Sequence, residues 1–183
     1  MPPLHALCLK MFSWLAVLTI AGGLPVDRAI AGGSSKTAPC AAAPYRQFDF
    51  WIGDWDAFDV DKPSAAVARN LVESILGGCV LHEDYRATSG SRGESFTIYD
   101  GSRKIWHQTW FTNAGKLLVI EGTSRNGEMV LTGVDYKSNG RNVLVRGIWK
   151  PVKEGVRETV MTSNDGGATW RPWFDILFRQ HAR

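Results

Sequence analysis

The sequence lacks the charge pattern and the loop motifs that mark several large functional classes. Its 21 lysine and arginine residues nearly balance 18 aspartate and glutamate residues. Both signs are mixed along the chain, so there is no basic stripe of the kind that nucleic acid requires. Neither a phosphate-binding loop, a G-x-G-x-x-G turn nor the G-x-S-x-G elbow of serine hydrolases occurs. We therefore expect no nucleic-acid partner and no nucleotide cofactor.

Long apolar runs are scarce, and the one present lies near the amino terminus. The run 11–26 follows Lys10 and precedes Ala29-Ile30-Ala31, a small-x-small pattern that signal peptidase accepts. An uncleaved membrane anchor is the alternative, although 16 residues are few for a span. We favour cleavage after Ala31, with export to the periplasm or outside the cell and no stable membrane insertion afterwards. The predicted organisation is a signal peptide (1–31), a leader with a short plug (32–47) and a β-barrel domain (48–183).

Cysteine is also rare, with three residues in the whole chain. Cys8 leaves with the predicted signal peptide, so Cys40 and Cys79 would remain together in an oxidising compartment, where thiol pairs are usually bonded. Two unpaired thiols are the alternative. No C-x-x-C or Cys/His spacing indicates zinc, and His82-Glu83 on a strand would point to opposite faces. We therefore expect neither a metal site nor another cofactor.

Helical patterning is absent beyond Pro44–Phe50, a segment that favours a short helical plug. From Phe48 onward, extended segments of 7–12 residues alternate with nine turn signals, of which Asn126-Gly127 and Asn139-Gly140 are the strongest. Nine turns predict ten strands. Consecutive hairpins without crossover helices predict an all-β, up-and-down antiparallel meander, which closes into a barrel to remove its exposed edges. A sandwich is the alternative fold.

Hairpin pairing predicts which side chains share the barrel interior, because directly paired residues point to the same face. The shortest loop at each turn places a polar group inside a wall of tryptophans, while His82, Asp84, Glu94 and His107 point outward. The predicted ligand-binding residues are Trp55, Glu83, Tyr85, Ser95, Trp106, Gln108, Trp110 and Arg146. Such a set lines an apolar pocket with a few polar groups, or forms a filled core in which Glu83 pairs with Arg146.

Several short motifs then carry a resemblance. Gly53-Asp54-Trp55 begins the first predicted strand, where lipocalin-like (calycin) barrels carry their G-x-W. Together with Trp106-x-Gln108-x-Trp110 and the segment 163–170, it resembles a functionally uncharacterised bacterial family of lipocalin-like barrels. The resemblance covers about Cys40 to Arg179. It implies a barrel around a cavity, with Arg179 as the basic side chain that covers Trp55, and it implies no reaction.

The segment 163–170 also matches an Asp-box, a motif that repeats in sialidase propellers. A single copy in a chain too short for a propeller is interpreted as a hairpin staple, with Asp165 binding turn amides and Trp170 covering the bend.

Three functions remain open on the sequence alone. We favour an exported barrel that binds a small, largely apolar ligand in its interior. The alternatives are a cofactor-independent enzyme that uses Glu83 as general acid or base, with Arg146 or Tyr85 stabilising an anion, and a ligand-free envelope or interaction scaffold. The sequence carries no signal for an oligomeric state.

Overall fold

The structure, a computed structural model, describes residues 38–182. The predicted signal peptide and its cleavage site lie outside the described residues. The strands are β1 (Gly53–Asp59), β2 (Ala68–Ile75), β3 (Val80–Ala87), β4 (Arg92–Asp100), β5 (Ile105–Thr112), β6 (Leu117–Arg125), β7 (Glu128–Asp135), β8 (Val143–Val152), β9 (Gly155–Ser163) and β10 (Arg171–Gln180). Short 3₁₀ helices span Ala43–Arg46, Asp49–Trp51 and Leu76–Gly78. None of the helices within 38–182 is long and apolar enough to cross a membrane.

The ten strands form one closed barrel in sequential order. Each strand pairs antiparallel with its neighbours in sequence, and β1 also pairs with β10. Tight turns make this possible: Asn126 and Gly127, between β6 and β7, have φ of 52° and 79°, the left-handed pair that a type I′ hairpin requires. The predicted all-β, ten-strand, up-and-down barrel is confirmed, and the alternative sandwich is wrong.

A short plug closes the end of the barrel at which β1 begins. Phe48 and Trp51 are fully buried there. The ring of Phe48 packs edge-on against Trp106 of β5 and Trp149 of β8, with centroids 5.8 and 5.6 Å apart. Burying aromatic side chains of this size is a large apolar contribution to stability. The plug therefore fills one end of the barrel, and the opposite end is bordered by loops between the strands.

A disulfide ties the segment before the plug to the start of β3. Cys40 and Cys79 are bonded, with Cα atoms 5.1 Å apart, as predicted. On the chain-entropy model, closing a loop of 39 residues stabilises the fold by about 4 kcal/mol.

The predicted interior face is correct from β1 through β7 and shifts by one residue in β8. Leu131 pairs with Gly147, where the shortest loop predicts Ile148. The connection 136–142 has an odd number of residues, which inverts the parity of an Asn-Gly turn of two residues. Val145, Gly147 and Trp149 consequently point inward. The prediction that Arg146 lines the interior is wrong.

Candidate functional site

The barrel encloses a cavity of about 380 Å³. It extends from the plug side, where Trp149 and Phe178 line it, toward the opposite end, where Lys116 and Trp173 line it. Its walls are mostly apolar. The apolar residues that close the wall are Leu118, Ile120, Val145, Val160, Ile176 and Phe178. A volume above about 300 Å³ with mainly apolar walls is typical of small-molecule sites.

Four of the predicted ligand-binding residues line this cavity: Glu83, Tyr85, Gln108 and Trp110. Gln108 is almost fully buried and donates a hydrogen bond to the Ser95 hydroxyl at 3.3 Å. Ser95 is buried behind the cavity wall. The central part of the sequence prediction therefore coincides with the cavity.

Trp55 and Trp106 point inward but pack against the plug instead of the cavity. The indole N–H of Trp55 donates to the Trp51 carbonyl at 3.0 Å, and that of Trp106 donates to the Gln47 side chain at 3.1 Å. Neither side chain lines the cavity. They hold the plug in place, and no ligand contact follows from their position.

Arg146 lies on the outer face and supports the Asp-box turn. Its Nε donates to Thr132 Oγ1 at 3.3 Å, and its guanidinium lies 3.9 Å from the centroid of the Trp170 ring. Within the turn, Asp165 accepts hydrogen bonds from the Thr169 amide at 2.9 Å and the Ser163 hydroxyl at 2.7 Å. Hydrogen bonds, chiefly from Thr169, lower the pKa of the exposed Asp165. These contacts are those of a hairpin staple, as interpreted from the sequence.

The Arg179 contact implied by the resemblance is also wrong. Arg179 pairs with Asp56 in register and its guanidinium lies 4.6 Å from the Phe58 ring. Gln180 stands opposite Trp55. Regular alternation along β10 turns Arg179 outward. The side chain that covers Trp55 inside the barrel is Trp51, whose ring lies nearly parallel to that of Trp55, with the centroids 6.0 Å apart.

Glu83 lies at the centre of a buried hydrogen-bonded group. Its two carboxyl oxygens accept hydrogen bonds from Asn70 Nδ2 at 3.0 Å and from the Ser95 hydroxyl at 2.7 Å. Burial raises the pKa of Glu83, and the bonds from Ser95 and Asn70 oppose part of the rise. Both donors are neutral, so the carboxyl is positioned without a partner cation.

Glu158 is a second cavity carboxyl that the sequence prediction missed. On β9 it alternates in phase with the buried Val156 and Val160, and it lines the cavity. No hydrogen bond or ion pair to its carboxyl is found within the described part of the chain. Burial, followed by repulsion from Glu83, raises the pKa of Glu158 well above its ordinary value. The pattern Val-x-Glu-x-Val was the available signal, since a glutamate in phase with apolar residues points into the core.

The far end of the cavity is shaped by a β-bulge in β10. Pro172 pairs with Met161 and Phe174 with Val160, leaving Trp173 as the extra residue. A bulge re-aims side chains that alternation would separate, and here the adjacent Trp173 and Phe174 both line the cavity.

Lys116 brings the cavity's one cationic side chain to this same end, among the residues that the structure describes. Its Nζ lies 5.0 Å from the Trp173 ring centroid and donates to Asp135 at 3.0 Å. Asp135 also accepts a hydrogen bond from Lys137, so the two lysines share one carboxylate at the rim.

Comparison with known proteins adds no relative. No model of a protein family matches the chain, and no curated protein matches it.

Within residues 38–182, no group of three or more His, Cys, Asp and Glu side chains is arranged to hold a metal ion. His181, near the end of the chain, bonds Asp56 through Nδ1 at 2.9 Å. The site is thus defined by the cavity and its two carboxyls.

Proposed function

We propose that this protein is an exported barrel that binds a small, largely apolar ligand in its interior. The observation that carries the proposal is the cavity of about 380 Å³, which joins an apolar wall to the polar group around Glu83 and Gln108. An apolar enclosure with a few placed polar groups favours a ligand that is held by burial and oriented by hydrogen bonds.

Two glycines support binding over a filled scaffold, because they keep the cavity open. A Cβ on Gly93 would lie 2.1 Å from the Trp110 ring, and one on Gly147 would lie 2.5 Å from the Trp149 ring. Each indole ring therefore packs flat against the backbone of a glycine, where any larger residue would clash with it. Because these large rings lie along the barrel wall, the centre of the barrel stays open. Rings that pointed across the barrel would fill this space.

A neutral apolar fluorophore tests the proposal directly. N-phenyl-1-naphthylamine should bind the wild-type protein with enhanced fluorescence, and Leu118→Trp, which adds bulk inside the cavity, should weaken that binding at least about tenfold. Val119→Trp is the matched control, since Val119 is the next residue of β6 and points outward. Equal binding by wild type and Leu118→Trp would place the probe elsewhere and contradict the proposal. Native mass spectrometry of protein purified from its own host would identify a retained ligand.

Catalysis in the same cavity is the second candidate, and the raised pKa of Glu83 is the observation that favours it. A raised pKa brings a carboxyl closer to the range in which a general acid works. If the barrel turns over its ligand, incubation of the retained compound with fresh protein should yield a product of different mass. Glu83→Gln should abolish that product while retaining the ligand. An unchanged ligand would leave binding as the function.

The disulfide supports the proposed export and a periplasmic or extracellular location, because such bonds persist in oxidising compartments. The lipocalin-like barrel likewise supports the proposed membership of the bacterial calycin family. Amino-terminal sequencing of protein from the host should begin at Gly32; an intact Met1 in the exported fraction would contradict cleavage.

A further inference from the structure

The cavity is lined by two acidic side chains, Glu83 and Glu158, and by Lys116 at its far end. Glu83 is satisfied by Asn70 and Ser95, both neutral donors, whereas no protein group within 38–182 bonds the Glu158 carboxyl. Lys116 is engaged by Asp135 at the rim, and Arg146 lies on the outer face. A bound molecule therefore enters an enclosure in which the Glu158 carboxyl has no hydrogen-bond partner from the described residues.

We propose that the ligand of this barrel carries an amine, and that its protonated nitrogen binds the Glu158 carboxylate beside Glu83. This inference rests on the proposed function, since it names the chemical class of the molecule that the cavity binds. The ammonium group compensates the charge of the ionised Glu158 carboxyl, because a carboxylate in an apolar cavity is costly without a cation. The ligand's apolar body then extends toward Trp173 and Phe174.

The aromatic walls suit the same chemistry. Trp149 pairs in register with Glu158, and Trp110 and Tyr85 line the cavity with Glu83. A cation near the face of an indole or phenol ring is attracted by the ring quadrupole, and the attraction strengthens when water is excluded. An anionic ligand would meet two carboxyls with no free cation beside them. A neutral ligand would leave Glu158 in its neutral form and gain no ion pair with it.

Two matched series of probes separate these cases by competition with N-phenyl-1-naphthylamine. Tryptamine, tryptophol and indole-3-acetate share an indole, and n-octylamine, n-octanol and octanoate share a chain. The amine of at least one series should bind about tenfold tighter than its neutral analogue, and the anion should bind weakest. Glu158→Gln should remove the preference while retaining the neutral probe. Glu154→Gln, an exposed glutamate in the β8–β9 turn, is the control that should retain it.

Calorimetry in two buffers of different ionisation enthalpy adds an independent readout. Amine binding at a pH below the raised pKa of Glu158 should release a proton from wild type, since the cation favours the ionised carboxyl, and should release less from Glu158→Gln. The titratable groups that face Glu158 across the cavity are Glu83, Tyr85 and Lys116.

The outcomes distinguish this inference from the proposed function. Binding of N-phenyl-1-naphthylamine with no preference for either amine, or a preference that Glu158→Gln leaves unchanged, would overturn the amine assignment and leave the binding barrel. Failure of the fluorophore and of all six probes to bind would overturn both.

Discussion

At the scale of single residues, Glu158 is a cavity carboxyl to which no group within residues 38–182 bonds. A carboxyl buried among Trp149, Ile176 and Phe178 is stable in its neutral form, because the ionised form loses its hydration. The proton on Glu158 also removes repulsion from Glu83 and lets both carboxyls share one cavity. The raised pKa of this residue therefore makes the stability of the fold sensitive to pH.

The stability of the barrel should therefore fall as pH rises. The pKa of Glu158 is raised in the folded state, so the folded protein binds more protons than the unfolded chain above about pH 4.5. The free energy of unfolding therefore decreases as pH rises from about 4.5 to the pKa of Glu158 in the folded protein, by as much as about 1.4 kcal/mol per pH unit.

Urea unfolding of wild type and Glu158→Gln at pH 5 and pH 8 measures this effect. The variant should lose less stability than wild type between the two values, by about 1 kcal/mol or more, while Glu154→Gln should follow wild type. Parallel changes in wild type and Glu158→Gln would show that Glu158 ionises freely in the barrel.

At the scale of strands, β8 shows how a glycine determines the shape of the cavity. Gly147 provides the flat surface on which Trp149 lies, and Trp149 in turn packs against Phe48 of the plug. The same strand carries Arg146 outward to cover Trp170. One register therefore positions the cavity wall on one face and the staple on the other.

Gly147→Ala should disturb that wall in a way that a second change relieves. The new Cβ would lie 2.5 Å from Trp149 Cη2, so the indole must move into the cavity, at an expected cost of about 1–3 kcal/mol in stability. Binding of N-phenyl-1-naphthylamine should weaken with it. Adding Trp149→Phe removes the indole atoms nearest the new methyl group and should restore part of the binding; no loss in the single variant would contradict this account.

Most of the strand pattern could be predicted from the sequence, because turns and alternation are local. Asn126-Gly127 fixes its hairpin by the φ values that it requires, and the interior positions of Glu83 and Gln108 follow from short, regular turns. The register of β8 could not be predicted, since Asn139-Gly140 lies within a longer connection whose length depends on tertiary packing. Arg146 was predicted to point inward only because a register shift of one residue exchanges the two faces of the strand.

The candidate site was predictable only where it rests on such regular strands. Trp173 reaches the cavity through a bulge, and a bulge leaves no mark in the apolar alternation. Glu158 was visible in the Val156-x-Glu158-x-Val160 pattern but lies after the shifted strand, where parity was already lost. That Trp55 and Trp106 face the plug instead of the cavity depends on how the plug packs. Trp51 stacks on Trp55, four residues along the chain, whereas Phe48 contacts Trp106 across a long sequence separation.

At the scale of the whole molecule, the barrel has a plugged end and a cavity that extends from the plug toward the opposite end. The plug supplies the floor of the cavity, because Phe48 contacts Trp149 and Trp51 contacts Phe178, with ring centroids 5.6 and 4.6 Å apart. The disulfide stands behind the plug and does not line the cavity. Stability and binding are thus assigned to different parts of one chain, joined by these aromatic contacts.

Removal of the disulfide should consequently affect stability far more than binding. The bond acts mainly by restricting the unfolded chain, so the double variant Cys40→Ser and Cys79→Ser should lose up to about 4 kcal/mol in urea unfolding, as should wild type in reductant. In its folded state, Phe48 and Trp51 remain buried by their own packing. The affinity for N-phenyl-1-naphthylamine should therefore stay within about twofold of wild type, a change of under 1 kcal/mol.

Phe48→Ala is the comparison that gives this prediction its contrast. Truncation of a fully buried phenylalanine costs about 3–5 kcal/mol, similar to the loss of the disulfide, but it removes the support beneath Trp149. Its folded fraction should bind the fluorophore more weakly than the cysteine variant does. If instead the cysteine variant, still folded by circular dichroism, loses affinity as Phe48→Ala does, then the covalent bond and not the aromatic packing holds the cavity floor in place.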